Sequence, residues 1–208
     1  MTITVHHLEN SRSQRVLWML EELGLSYTVK RYERNKATML APRELRAVHP
    51  LGKSPVIEDD GAVIAETGAI VEYLVERGNG RLGPPAHRDN ARRWRFWLHY
   101  AEGSLMPPLL VKLVLARIPI LGKAAQKKLQ PMIDVHLDYI ESELAQRPWF
   151  AGDEMTAADI MMSFPLEAAR ARAGLDASRP ATTAWLDKIH ARPAYQAALA
   201  KGGPYAYA

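Results

Sequence analysis

Just ahead of the first apolar-periodic segment the chain reads "ENSRSQRVLW", which sets Asn10, Ser11 and Ser13 at the entry to a helix. Amide and hydroxyl groups there can donate hydrogen bonds to an anionic atom, with the positive end of the helix dipole behind them. The same groups can instead simply cap the helix, and both roles stay open at this point. A second feature lies in "LGKSPVIED", where Pro55 falls inside a run that otherwise begins as a buried strand. Proline has no N–H to give to a sheet and belongs at edges, strand starts or bulges. The chain has no cysteine, which removes disulfides, cysteine zinc sites, CxxC redox chemistry and a cysteine nucleophile together.

The 208 residues suffice for one large domain or two small ones, and 48% apolar with 24% charged residues is ordinary for a globular protein. The formal charge of +4 comes from 27 basic against 23 acidic residues, which is not a nucleic-acid-binding composition. The densest basic cluster, Arg88, Arg92, Arg93 and Arg95, reads as a solvated helix face. The start "MTITVHHLENSRSQR" lacks a basic segment followed by an apolar core, so no secretory leader is expected and a cytoplasmic location is. The most apolar long stretch, Ser104–Gly122, carries Lys112, Arg117 and three prolines and makes a poor membrane span.

These groups need elements to hold them. "ITVHHL" (3–8) is β-branched and reads as a strand. The helix that follows lays Val16, Leu17, Leu20 and Leu23 on one face and stops at Gly24. "SYTVKRYER" (26–34) alternates as a second strand, and "APRELRAVHP" (41–50) holds a short helix. "PVIED" and "AVIAE" flank Asp60-Gly61, a tight hairpin signal. "TGAIVEYLVERG" (67–78) is helical. The order βαβαββα fills residues 1–80, and "GNGRLGPPAHRD" reads as a linker. From 88 to 208 the periodicity is helical, with candidate segments 89–106, 123–146, 156–172, 182–191 and 194–201. Pro107-Pro108 should break or kink the first of them. Thr156 followed by Asp159 reads as a capping box with Asp in the usual Glu position.

In this order and at these distances, "NSRSQRVLWMLEELGL", "HPLGKSPVIEDDGAVIAET", "HYAEGSLMPPLL" and "FAGDEMTAADI" resemble the cytosolic glutathione S-transferases, in particular a bacterial and fungal subgroup. The resemblance spans essentially the full length. It implies an α/β thioredoxin-like domain followed by an all-helical one, which agrees with the independent reading of the elements. It implies glutathione as cosubstrate, no metal, and a homodimer.

The family places a tyrosine, serine or cysteine beside the glutathione sulfur. Ser11 is the first choice for that position and Asn10 the second, since alignments of Arg15-Val16 differ by one residue, with Arg12 close by. The proline matching Pro55 is cis in this family, which implies a cis Ser54–Pro55 bond. It also implies Val56 backbone groups free to pair with the cysteinyl backbone of glutathione. Lys53 and Ser54 belong to the same stretch. The resemblance puts Glu66 at the γ-glutamyl ammonium and Thr67, with the helix N–H groups, at its carboxylate. Lys53, Lys36, Arg34 and His49 are alternatives for the glycyl carboxylate, and Glu102 could approach the γ-glutamyl end in a partner subunit. Tyr100, Ser104, Met106, Leu109 and Leu110 are expected to line the electrophile subsite.

The implied activity is transfer of the glutathione thiolate to an apolar electrophile. The alternatives are a non-catalytic glutathione-binding relative and a glutathione-dependent peroxidase or reductase run by the glutathione sulfur alone. Neither nucleic acid nor a membrane is an expected partner.

Overall fold

Ile3–Leu8 form strand β1, and almost every side chain along it is buried, because both faces of the sheet are covered. The computed structural model describes residues 2–207. Strand β2 (Tyr27–Tyr32) runs parallel to β1, joined by helix α1 (Ser13–Leu23). A short helix α2 (Leu45–Val48) precedes β3 (Val56–Asp59) and β4 (Ala62–Ala65), and helix α3 (Thr67–Arg77) follows. The sheet order is β2-β1-β3-β4, with β3 antiparallel to both of its neighbours. Asp60 and Gly61 take φ of 51° and 79°, so the hairpin closes in two left-handed residues, as its sequence requires. Gly24 ends α1 at φ 64° and returns its N–H to Glu21 and Leu20.

The helices beyond this point are α4 (Arg88–Tyr100), α5 (Met106–Leu115), α6 (Leu121–Leu144), α7 (Ala157–Arg172), α8 (Pro180–His190) and α9 (Pro193–Gly202). Here α5 is the element that periodicity missed. The expected 89–106 segment leaves α-geometry after Tyr100, makes a π-helical turn over Ala101–Leu105, and continues as α5 with prolines in its first turn. Pro107 and Pro108 have no N–H to return to the preceding turn, so the ladder changes register there and the chain remains helical.

The chain divides into two compact units. One runs to Gly83 and includes His190–Ala206; the other is Pro84–Ile189. The division at 88–208 read from the sequence therefore shifts at its end, because α9 packs on α1 and reaches β2. Trp18 meets Tyr195 edge to face at 5.4 Å. Arg192 grips Glu22 through Nε and Nη2 at 2.5 and 2.8 Å. This fork adds fixed geometry to the apolar contact.

The helical unit is built around Trp97, which is fully buried against Phe150 and Tyr139. Arg93 ties this cluster down by donating to the Phe150 carbonyl and pairing with Glu143. The expected capping box opens α7. Asp159, with no exposed surface, accepts from Phe150 N–H at 3.0 Å and Thr156 N–H at 2.9 Å. Burial pushes its carboxyl up to about 6, against the lowering effect of those N–H groups. No helix among the described residues is long and apolar enough to cross a membrane.

Replacing Asp159 by Ala strands two buried N–H groups, each worth about 1–3 kcal/mol. Asp159→Ala should lower the urea unfolding free energy by about 2–4 kcal/mol. A loss below about 1 kcal/mol would show that the box is not what seats α7.

Candidate functional site

The segment between β1 and α1 is held from two directions. From the end of β2, Arg34 donates through Nε to the Glu9 carbonyl at 3.2 Å and through Nη2 to the Asn10 carbonyl at 3.3 Å. Its own N–H donates to the Glu9 carboxylate at 2.8 Å. Asn10 sits at φ 48°, a left-handed conformation that Asn tolerates better than most residues. The Ala206 N–H donates to Asn10 Oδ1 at 2.7 Å. A backbone N–H can only donate, so the atom it meets must be the amide oxygen, which fixes the orientation of the amide. Nδ2, with two donors, makes no hydrogen bond to another described residue.

Ser11 is only 6% exposed and is turned inward. Its Oγ lies 2.7 Å from Ser13 Oγ and accepts from Ser13 N–H at 3.2 Å. Ser13 Oγ reaches His7 Nδ1 at 2.9 Å. His7 donates from its ring to the Gly202 carbonyl at the end of α9. Burial, with Arg31 nearby, holds His7 down at about 4, so the ring is neutral at physiological pH. A neutral imidazole has one N–H. A Cβ on Gly202 would lie 3.3 Å from His7 Nε2, so this is the nitrogen that faces the helix end. Nδ1 is then an acceptor; Ser13 Oγ, which also meets the Leu8 carbonyl at 3.3 Å, gives its one proton to one of these two acceptors, so Ser11 donates to Ser13. The Ser11 proton is committed to the interior.

Around Pro55 the Ser54–Pro55 bond is cis, as the resemblance implies. The free backbone edge is not where it was expected. Val56 is in register with His6 on one side and Ala65 on the other, so strands enclose it on both sides. Ser54 is the residue left open. Its hydroxyl donates to the His6 carbonyl at 2.8 Å and accepts from Leu8 N–H at 3.2 Å. The Ser54 N–H and C=O pair with no other described group.

At the start of α3, Glu66 is exposed and takes φ 70°, ψ 122°, a sparsely populated region for a residue with a Cβ. Thr67 is buried beside it. No side chain caps this helix, so its first N–H groups remain available to an anion. Lys53 and Lys36 are exposed, whereas Arg34 is engaged with the Asn10 segment and His49 Nδ1 with Leu51 N–H.

In the helical unit, Met106 and Leu109 are buried side chains of α5, Leu110 is half exposed, and Ser104 lies on the π-helical turn. Tyr100 hydrogen-bonds His136 through its hydroxyl, and burial raises its phenol above the usual range. His7 and Ala206 were absent from the sequence-based site. An "HH" pair in a strand carries no signal that one ring is a buried acceptor. Ala206 takes part only through its backbone.

Family-level comparison matches residues 11–77 to the glutathione S-transferase N-terminal domain and residues 105–193 to the glutathione S-transferase C-terminal domain. Glutathione S-transferase 3 of Schizosaccharomyces pombe is 36% identical over 214 residues, covering 96% of this chain and 87% of the relative. Glutathione S-transferase 1 of Saccharomyces cerevisiae is 32% identical over 222 residues, covering 96% and 94%. The crystal structure of a glutathione S-transferase from Actinobacillus pleuropneumoniae has 34% identity and a TM-score of 0.89, covering 99% of this chain and 95% of that one.

The buried neutral His7 makes stability depend on pH. Its proton affinity is depressed in the folded state to about 4 from an ordinary 6.5. The unfolded chain therefore binds the extra proton between these values, and stability present above about 6.5 is lost as pH falls towards 4. His7→Asn cannot titrate, so its urea midpoint should fall less steeply than wild type across that window. Parallel slopes would contradict this.

Proposed function

Because the chain belongs to the glutathione S-transferase family, we propose that it binds glutathione on the sheet unit and transfers its thiolate to an electrophilic carbon of an apolar cosubstrate. The observation that carries this reading is the open backbone of Ser54 beside the cis Pro55. An extended tripeptide can pair there as a short strand, its cysteinyl C=O taking the Ser54 N–H and its cysteinyl N–H taking the Ser54 carbonyl. Pro55 and Val56 form the wall behind it. Thr67 and the uncapped start of α3 suit the γ-glutamyl carboxylate, and the exposed Glu66 suits its ammonium. Lys53 is the cation we assign to the glycyl carboxylate.

For the sulfur we place Asn10 ahead of Ser11. A free thiol has a pKa of about 8.5, and each unit of lowering needs about 1.4 kcal/mol favouring S⁻ over SH. Asn10 has two unspent N–H donors. Ser11 spends its one proton on Ser13 and presents a lone pair, which suits neither a thiolate nor its formation. The start of α1 adds dipole stabilisation at the same place. The activated sulfur then forms the new C–S bond. In substitution the leaving group departs with its electron pair; in addition the adjacent carbon takes a proton. We also propose that the chain acts as a homodimer, a reading supported by half-exposed apolar side chains such as Leu110, Val111 and Val114 on the helical unit.

Conjugation kinetics with 1-chloro-2,4-dinitrobenzene test the assignment. Asn10→Ala should lower kcat/KM at least about tenfold, equivalent to roughly 1.4 kcal/mol. Ser11→Ala should act mainly on stability, through loss of its hydrogen bonds to Ser13 N–H and Ser13 Oγ. The reverse order would return the sulfur to Ser11, and a wild type that fails to bind glutathione would overturn the transferase reading.

A further inference from the structure

Past the last turn of α9 the chain doubles back over the start of α1. Gly202 is anchored by its carbonyl to the His7 ring. It is buried, and a Cβ there would come within 2.8 Å of Gln14 Oε1. Gly203 turns at φ 85°, and a Cβ on it would strike the Arg31 guanidinium at 2.4–2.6 Å. Two consecutive glycines thus let the backbone lie close against β1, β2 and α1. Three residues later the Ala206 N–H reaches Asn10 Oδ1 at 2.7 Å.

From these contacts we infer that the segment Gly203–Ala206 is a positioning strap for Asn10, whose Ala206 N–H holds the side-chain amide with its Nδ2 donors turned toward the sulfur of bound glutathione. The inference rests on the reading of this loop as the glutathione sulfur site. An asparagine amide free to rotate about its last torsion presents oxygen and nitrogen alike, and its oxygen would repel a thiolate. The strap removes that choice because its N–H accepts only one of the two orientations. Arg34 cannot supply the same constraint, since it holds the Asn10 backbone carbonyl and leaves the side chain untouched. The far end of the strap is fixed by the same His7 that orients Ser13 and Ser11. Asn10 and Ser11 are therefore oriented by one hydrogen-bonded circuit that runs through β1, α9 and the strap. Ala206 touches neither substrate nor sulfur, so its part is positioning.

Ala206→Pro deletes this N–H at an exposed residue. The readout is the ionisation of bound glutathione, followed by thiolate ultraviolet absorbance against pH. Glutathione affinity is measured in parallel by calorimetry. Ala206→Pro should raise the bound thiol pKa by about one unit, a tenfold smaller thiolate fraction at low pH, with affinity within about twofold of wild type when measured well below the bound pKa, where glutathione binds as the thiol. Ala206→Gly, which restores the N–H, should return the wild-type ionisation curve. Removal of residues 204–208, which leaves α9 whole, should reproduce the proline variant. A wild-type thiol pKa in both the proline variant and the truncation, with glutathione bound, would overturn the strap and leave the sulfur site standing. A wild type that binds no glutathione, or leaves its thiol at the free value, would overturn the strap together with the site.

Discussion

The Ser54 hydroxyl takes up the two backbone groups of β1 that a strand neighbour would otherwise claim. It donates to the His6 carbonyl and accepts from the Leu8 N–H, so β1 stays satisfied to its end while β3 begins only at Val56. Buried backbone groups must be paired, and one hydroxyl can pair two of them. The consequence falls on Ser54 itself, whose own N–H and C=O are left without a partner among the described residues. Pro55 adds no donor of its own. The uncapped start of α3 follows directly from β4 and the Asn10 segment directly from β1, the two strands that flank β3 in the sheet.

The order of events in the fold explains why this opening can be rigid. β1 lies inside the sheet, with α1 packed on one face and, at its Leu8 end, Leu45 of α2 packed with Leu8 and Tyr32 in a buried cluster. Its two histidines point to opposite faces and do different work. His6 lies between Tyr32 and Glu58, each at 2.8 Å, and so links three strands. His7 links β1 to α1 through Ser13 and to α9 through Gly202. A site hung from such a strand moves only if the sheet moves, which is the condition for hydrogen bonds to be aimed in advance of the ligand.

Much of this could be read from residue types. Asp60-Gly61 declares its turn because few other pairs take two positive φ angles in succession. Thr156 and Asp159 declare a cap, and Gly24 declares a helix end. The failures share a physical origin. Periodicity reports side-chain faces and says nothing about backbone register, so the π-helical turn at Ala101–Leu105 and the resumption in α5 went unread. The open residue was displaced from Val56 to Ser54 for the same reason, since pairing depends on which strands lie alongside. The Ser11–Ser13–His7 chain depends on a tautomer set by a carbonyl almost two hundred residues away in sequence. The Ala206 contact uses only a backbone N–H, which every residue but proline possesses.

Whether glutathione pairs to the backbone edge that Ser54 offers is decided by the structure of the glutathione complex. In that complex the cysteinyl backbone should lie within hydrogen-bonding distance, about 2.7–3.2 Å, of both Ser54 N and Ser54 O, with the sulfur at Asn10 Nδ2. Glutathione bound with its cysteinyl backbone away from Ser54, or paired to another segment of the sheet unit, would contradict it.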